Sequence, residues 1–166
     1  PSISAVLSAR WAACPPRSFP AAPPTISAHS PLPPEEEWER FSTAHRQAVL
    51  ELAQLYDQAV QMVGEKLATI FAIHAMLLDD QDYQDTVYSM IFSCGCTAEH
   101  ASKTAMDHLV SLFEQMDSPY MQARASDVRA ISDRMLRILT GRGTLPPVSF
   151  SPSILVSTEF APSQII

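Results

Sequence analysis

The sequence predicts a mainly α fold, a helical-hairpin bundle of about five segments over residues 34–141. Three observations carry that expectation. Nine of the fourteen prolines lie within residues 1–34, whereas Pro119 is the only further proline between Pro34 and Gly141. Only two glycines, Gly64 and Gly95, interrupt that same stretch. Within it, apolar residues recur three and four positions apart, the spacing that puts side chains on one helix face. A chain of 166 residues that is 46% hydrophobic and 17% charged can bury a real core.

The first segment, about 34–62, opens with Pro34 and then Glu35, Glu36 and Glu37. Proline's fixed φ suits a first helical position, and acidic side chains suit the positive helix terminus. Its stripe is Trp38, Phe41, His45, Ala48, Leu52, Leu55, Ala59 and Met62, a heptad-like seam. That seam could pair with a second copy of the chain. Packing against the chain's own next helix is the expected use, because an antiparallel neighbour follows directly. The second segment, about 65–78, carries Leu67, Ile70, Phe71, His74, Leu77 and Leu78, and Asp79 and Asp80 break it.

A short third segment, about 81–92, places Tyr83, Val87, Met90 and Ile91 on one face and ends at Gly95. Thr97 can cap the fourth, about 98–117, with the stripe Ala98, Ala101, Ala105, Leu109, Leu112, Phe113 and Met116. Ser118 and Pro119 start the fifth, whose core face is Tyr120, Val128, Ile131, Met135 and Leu139. Gly141 closes it at the position where a left-handed residue is expected. Outside this block, residues 1–33 read as proline-rich extended chain, with an edge strand near Ile3–Leu7. Residues 142–166 read as a linker and a strand at Ile154-Leu155-Val156.

Charge narrows the function classes. The whole chain carries a net −7, and residues 35–141 hold seventeen acidic against eight basic side chains, a net of −9. Such a surface does not suit a nucleic-acid binder held by phosphate contacts. No apolar run reaches membrane-spanning length, and Pro15, Pro16 and Pro20 interrupt any signal-peptide core. Three sparse cysteines make no disulfide framework, so a reducing cytoplasm is the expected setting.

Few constellations carry chemistry. Cys94-Gly95-Cys96 with Glu99 and His100 invites a zinc reading, but no second ligand pair follows at a suitable spacing, and two ordinary cysteines in a loop are expected. His45 and His74 sit on apolar stripes, where a core histidine with one nitrogen satisfied is the usual outcome. No phosphate loop, nucleophile elbow or metalloprotease motif is present. Asp79, Asp80, Asp82 and Asp85 cluster at the second junction beside Met76 and Leu77. They are either a solvated helix start or an acidic docking rim around adaptable apolar contacts. Arg124, Asp127, Arg129, Asp133, Arg134 and Arg137 form ion-pair spacings that normally decorate a helix surface, worth about 0.2–0.5 kcal/mol each.

Three stretches in order resemble one family. Ile70-Phe71-Ala72-Ile73-His74-Ala75-Met76-Leu77-Leu78-Asp79-Asp80 is similar to a helix–turn in the helical domain of Enzyme I, the phosphoenolpyruvate–protein phosphotransferase of the bacterial sugar phosphotransferase system. Residues 120–137 resemble that family's Y-x-x-x-R-x-x-D-V-R-x-I-x-x-R-x-L-R helix through Tyr120, Arg124, Asp127, Val128, Arg129, Ile131, Arg134, Leu136 and Arg137. Ile154-Leu155-Val156 with Pro162-Ser163 is similar to its I-L-V strand and P-S turn, and Glu39-Arg40-Phe41 fits its opening helix.

The resemblance implies two helical hairpins inserted into an α/β phosphohistidine domain, of which only short flanking pieces would be present here. It implies that the helical part docks the phosphocarrier protein HPr, through His74, Met76, Leu77, Asp79 and Asp80 with Tyr120 and Arg124 alongside. The family's G-x-x-A-S-P-G strand is not found, and the sequence ends before any G-G-x-T-S-H motif. No residue here corresponds to the phosphorylated histidine. The chain is therefore expected to be a fragment or truncated homologue, inactive alone. It would have no cofactor of its own, since magnesium and phosphoenolpyruvate belong to a separate C-terminal domain of the full-length family enzyme. The alternative is a stand-alone helical interaction module with a different partner, self-associating through the Trp38–Met62 seam.

Overall fold

The computed structural model describes residues 26–142. They form five helices: α1 (Pro34–Val63), α2 (Glu65–Leu78), α3 (Gln81–Cys94), α4 (Ala98–Glu114) and α5 (Pro119–Leu139). The packing is two hairpins. α1 lies most extensively on α2 and α4 on α5, α3 connects them, and α5 also packs on α1. The proposed edge strand at 3–7 and the strand at 154–156 lie outside the described residues.

Each boundary has a local cause. Pro34 occupies the first turn of α1, where a missing N–H costs nothing. A single residue, Gly64, joins α1 to α2 at φ +88° and ψ 160°, a backbone region essentially reserved for glycine. The Asp80 carboxylate accepts from the Tyr83 N–H and caps α3. The Thr97 hydroxyl accepts from the His100 N–H, as its sequence position suggested, and donates to the Ser27 carbonyl. That second bond joins a short pairing in which His29 bridges Cys96 and the Ser30 N–H donates to the Gly95 carbonyl. Ser118 stands at the N-cap of α5, but its hydroxyl makes no capping bond.

The core runs through all five helices. Phe41 and Leu52 from α1, Phe71 and Leu78 from α2, and Val87 and Ile91 from α3 are sealed, as are Met106 from α4 and Val128, Ile131 and Met135 from α5. Burying one such side chain stabilises the fold by about 1.5–3 kcal/mol. The α1 seam is thus largely consumed inside the chain: Phe41, His45, Ala48, Leu52 and Ala59 are buried. It is not a free surface for a second copy.

Five stripe residues depart from the expected burial. Met62 and Leu67 are 68% and 64% exposed, because they flank the one-residue turn where only two helices meet. Leu112 lies open near the end of α4, and Met116 falls beyond that helix, which stops at Glu114. Tyr120, assigned to the core face of α5, is also exposed and turns its ring toward Arg124. The arginines of α5 are less peripheral than their spacing implied. Arg134 is buried and pairs with Glu51 of α1 at 2.7 Å, while Arg129 reaches Glu114 of α4.

Candidate docking face

The last turn of α2, the α2–α3 junction and the first turns of α5 hold every residue singled out for partner binding. On α2, Phe71, His74 and Leu78 face inward while Met76 points away and is 74% exposed. Leu77 is half-buried and packs against the core edge. Asp79, Asp80, Asp82 and Asp85 are all exposed. The result is an apolar methionine next to a run of solvent-facing carboxylates.

The two core histidines behave differently. His45 of α1 donates from Nε2 to the Leu78 carbonyl at 2.9 Å, satisfying one of the orphan acceptors at the end of α2. Its ring lies 3.8 Å from Asp79. This bond fixes the acidic junction to α1, and it is the satisfied core histidine that the sequence suggested. His74 is 3% exposed, so it lies beneath the docking face rather than on it. Its Nε2 is buried without a hydrogen-bond partner, and the nearest charge is Asp127 Oδ1 at 3.6 Å, beyond hydrogen-bonding range.

Burial lowers the basicity of His74 below the ordinary value of 6.5, outweighing Asp127, which raises it; Arg134 and Arg124 lower it further. The unfolded chain therefore binds this proton more readily, and the stability conferred by neutral His74 is full above about pH 6.5 and lost as pH falls through the lower, folded value. Thermal melts between pH 7.5 and 5 are expected to show a steeper loss in the native chain than in His74→Gln. Parallel slopes would refute that assignment.

The α5 side of the face is a chain of polar contacts. Arg124 donates from Nη1 to Asp127 Oδ2 at 2.8 Å and from Nη2 to the Tyr120 hydroxyl at 2.6 Å. Its guanidinium lies 4.9 Å from the Tyr120 ring centroid, within cation–π range. Asp127 thus stands between His74 of α2, which it faces at 3.6 Å without a hydrogen bond, and Arg124, which it holds on α5. Sequence reasoning left Asp127 among ordinary surface pairs. The available signal was its position in Tyr120-x-x-x-Arg124-x-x-Asp127, which places all three on one helix face.

Other sites are weaker. Cys94 is exposed and Cys96 buried, and burial pushes the Cys96 thiol up, away from reactivity. Among the described residues no three His, Cys, Asp or Glu side chains converge to hold a metal. An open groove of about 480 Å³ between α1 and the end of α5 is lined by Glu36, Arg40, Ala44 and Leu139, apart from this face. No described helix is long and apolar enough to cross a membrane.

Residues 6–124 match the family described as PEP-utilising enzyme, N-terminal. The chain belongs to this family. The match begins inside the proline-rich segment and ends at Arg124, so the family pattern spans four helices and the start of α5. A phosphoenolpyruvate-protein phosphotransferase of Bacillus sp. (strain S) is 32% identical over 125 residues, covering 75% of this chain and 22% of the relative. The phosphoryl donor subunit DhaM of the PEP-dependent dihydroxyacetone kinase of Escherichia coli (strain K12) is 32% identical over 142 residues, covering 86% of this chain and 30% of that protein.

Solved structures agree with the family's fold. A solution structure of Enzyme I superimposes with TM-score 0.66 at 27% identity, over 72% of this chain and 49% of that one. The N-terminal domain of a nitrogen Enzyme 1 gives 0.68 at 26% identity, over 76% and 54%. This chain spans less than a third of the length of the two curated relatives. Within the family, its helices correspond to the N-terminal part of such enzymes.

Proposed function

We propose that this face docks the phosphocarrier HPr, so that a phosphoryl group carried on another part of an Enzyme I-type phosphotransferase can pass to HPr's histidine. The observation that carries the reading is the composition of the face: exposed Met76 bordered by four exposed aspartates, with Arg124 fixed on the neighbouring helix. Acidic side chains steer a partner with a basic rim, and a central apolar contact supplies buried area. In a transfer of this kind the chain's contribution is positioning, since in-line approach of donor and acceptor dominates the rate. The reading places the protein in the cytoplasm, in sugar uptake through the phosphotransferase system. Magnesium and phosphoenolpyruvate would belong to another domain of such an enzyme.

An NMR titration of isotopically labelled HPr with this chain tests the reading. Shifts confined to the face of HPr around its active histidine are expected. Met76→Lys should weaken that binding more than tenfold, as loss of a central anchor does, while far-UV helicity stays unchanged. Leu77→Lys should act in the same direction. Unchanged affinity in both folded variants would place the contact elsewhere. Absence of any shift at high concentration would mean that the fold serves a different partner.

A further inference from the structure

We infer that Asp127 is a positioning residue of the docking face, holding the Arg124 guanidinium toward the partner. The inference rests on the docking reading above and deepens it. Three observations meet at this one carboxylate. Its side chain is only 12% exposed, so it is not itself a contact residue. Its two oxygens are divided between the hairpins: Oδ2 accepts from Arg124 of α5, and Oδ1 faces the unpartnered Nε2 of His74 on α2. Arg124 is held at both ends, by Asp127 and by the Tyr120 hydroxyl, yet remains 26% exposed.

The physical consequence is preorganisation. An unrestrained arginine samples many rotamers, and a partner must remove that freedom on binding. With Nη1 and Nη2 already engaged and the ring of Tyr120 stacked beneath, most of that freedom is gone before the partner arrives. The remaining edge of the guanidinium is presented in one orientation to oxygen acceptors of the partner.

A double-mutant cycle in the full chain separates positioning through Arg124 from a general structural role. Asp127→Ala and Asp127→Asn are each measured for HPr affinity in the native background and in Arg124→Ala, with helicity checked by circular dichroism. The expected result is a five- to tenfold loss, or about the ordering cost of one side chain, in the native background for Asp127→Ala. In the Arg124→Ala background the same change should cost less than about twofold, because the group it positions is gone. Equal losses in both backgrounds, or no loss in either, overturn the inference.

A second readout needs no partner. The Arg124 Nε–Hε resonance of the free chain should be sharp and slow to exchange in the native protein and broadened in Asp127→Ala. If it is unchanged, Asp127 does not hold Arg124, whatever HPr does. If the native chain fails to bind HPr, the docking reading falls and this inference falls with it. If HPr binds but the cycle is additive, only the positioning role is lost.

Discussion

Replacing Glu37 with alanine is expected to lower the folding free energy by about 3 kcal/mol, the lower end of the range for breaking a buried ion pair. Glu37 is 2% exposed although it lies in the first turns of α1. Its Oε1 accepts from the Ser30 hydroxyl at 2.5 Å, and its Oε2 accepts from Arg40 at 2.6 Å and from the Ala98 N–H at 3.0 Å. One carboxylate thus joins the entering chain, α1 and the first residue of α4. Alanine would leave the Ala98 donor buried and unpaired. Arg40 would keep Glu99 and partial solvent contact, which places the cost at the lower end. Glu37→Gln should cost about half as much, since its oxygen can still accept and its amide can donate to the Ser30 hydroxyl. Urea denaturation of both variants gives the comparison. Losses below about 1 kcal/mol in both would show that the three contacts are not made together in solution.

Phe71→Ala is expected to cost about 3–5 kcal/mol, the loss typical of an aromatic deleted from a sealed core. Phe71 is fully buried on the inner face of α2, and its ring meets His74 edge-on at 6.3 Å between centroids. α2 is only fourteen residues long, and its sealed apolar anchors are Ala68, Phe71 and Leu78. Removing the largest of them should loosen the helix that carries Met76 and the acidic junction. Phe71→Leu, closer in volume, should cost less than about 1.5 kcal/mol. The check is a pair of urea titrations, with amide hydrogen exchange across residues 65–80 to locate the loosening. If Ala and Leu destabilise equally, packing volume at this position is not what anchors α2.

Much of the helical architecture was legible without coordinates, for local reasons. Pro34, Gly64, Gly95, Pro119 and Gly141 act through their own backbone restrictions, so they mark boundaries wherever they occur. Thr97 could be recognised as a cap because its partner, the His100 N–H, is three residues away. Periodicity likewise separates the inner face of α2, with Phe71, His74 and Leu78, from Met76 on the outside. The candidate docking face was therefore half readable. Its α2 residues and acidic junction are neighbours along the chain.

What the chain order could not express is reach across helices. Periodicity says which side of a helix turns inward, but not how far the neighbouring helix extends; Met62, Leu67 and Tyr120 sit on the expected stripes and remain exposed. Glu37 looked like one of three acids complementing a helix terminus, and its decisive partner is a backbone N–H sixty-one positions away. Arg134 looked like a surface charge and is buried against Glu51 of α1. Asp127 looked like an i,i+3 partner of Arg124, which it is, and only the packing of α2 on α5 brings His74 to its other oxygen. Neighbouring residues and backbone sterics set the five helices to within a few residues and choose the side of each that turns inward, so both are readable along the chain. Which polar groups are enclosed and which charges meet follows from packing, because desolvation and Coulomb attraction depend on distance in space.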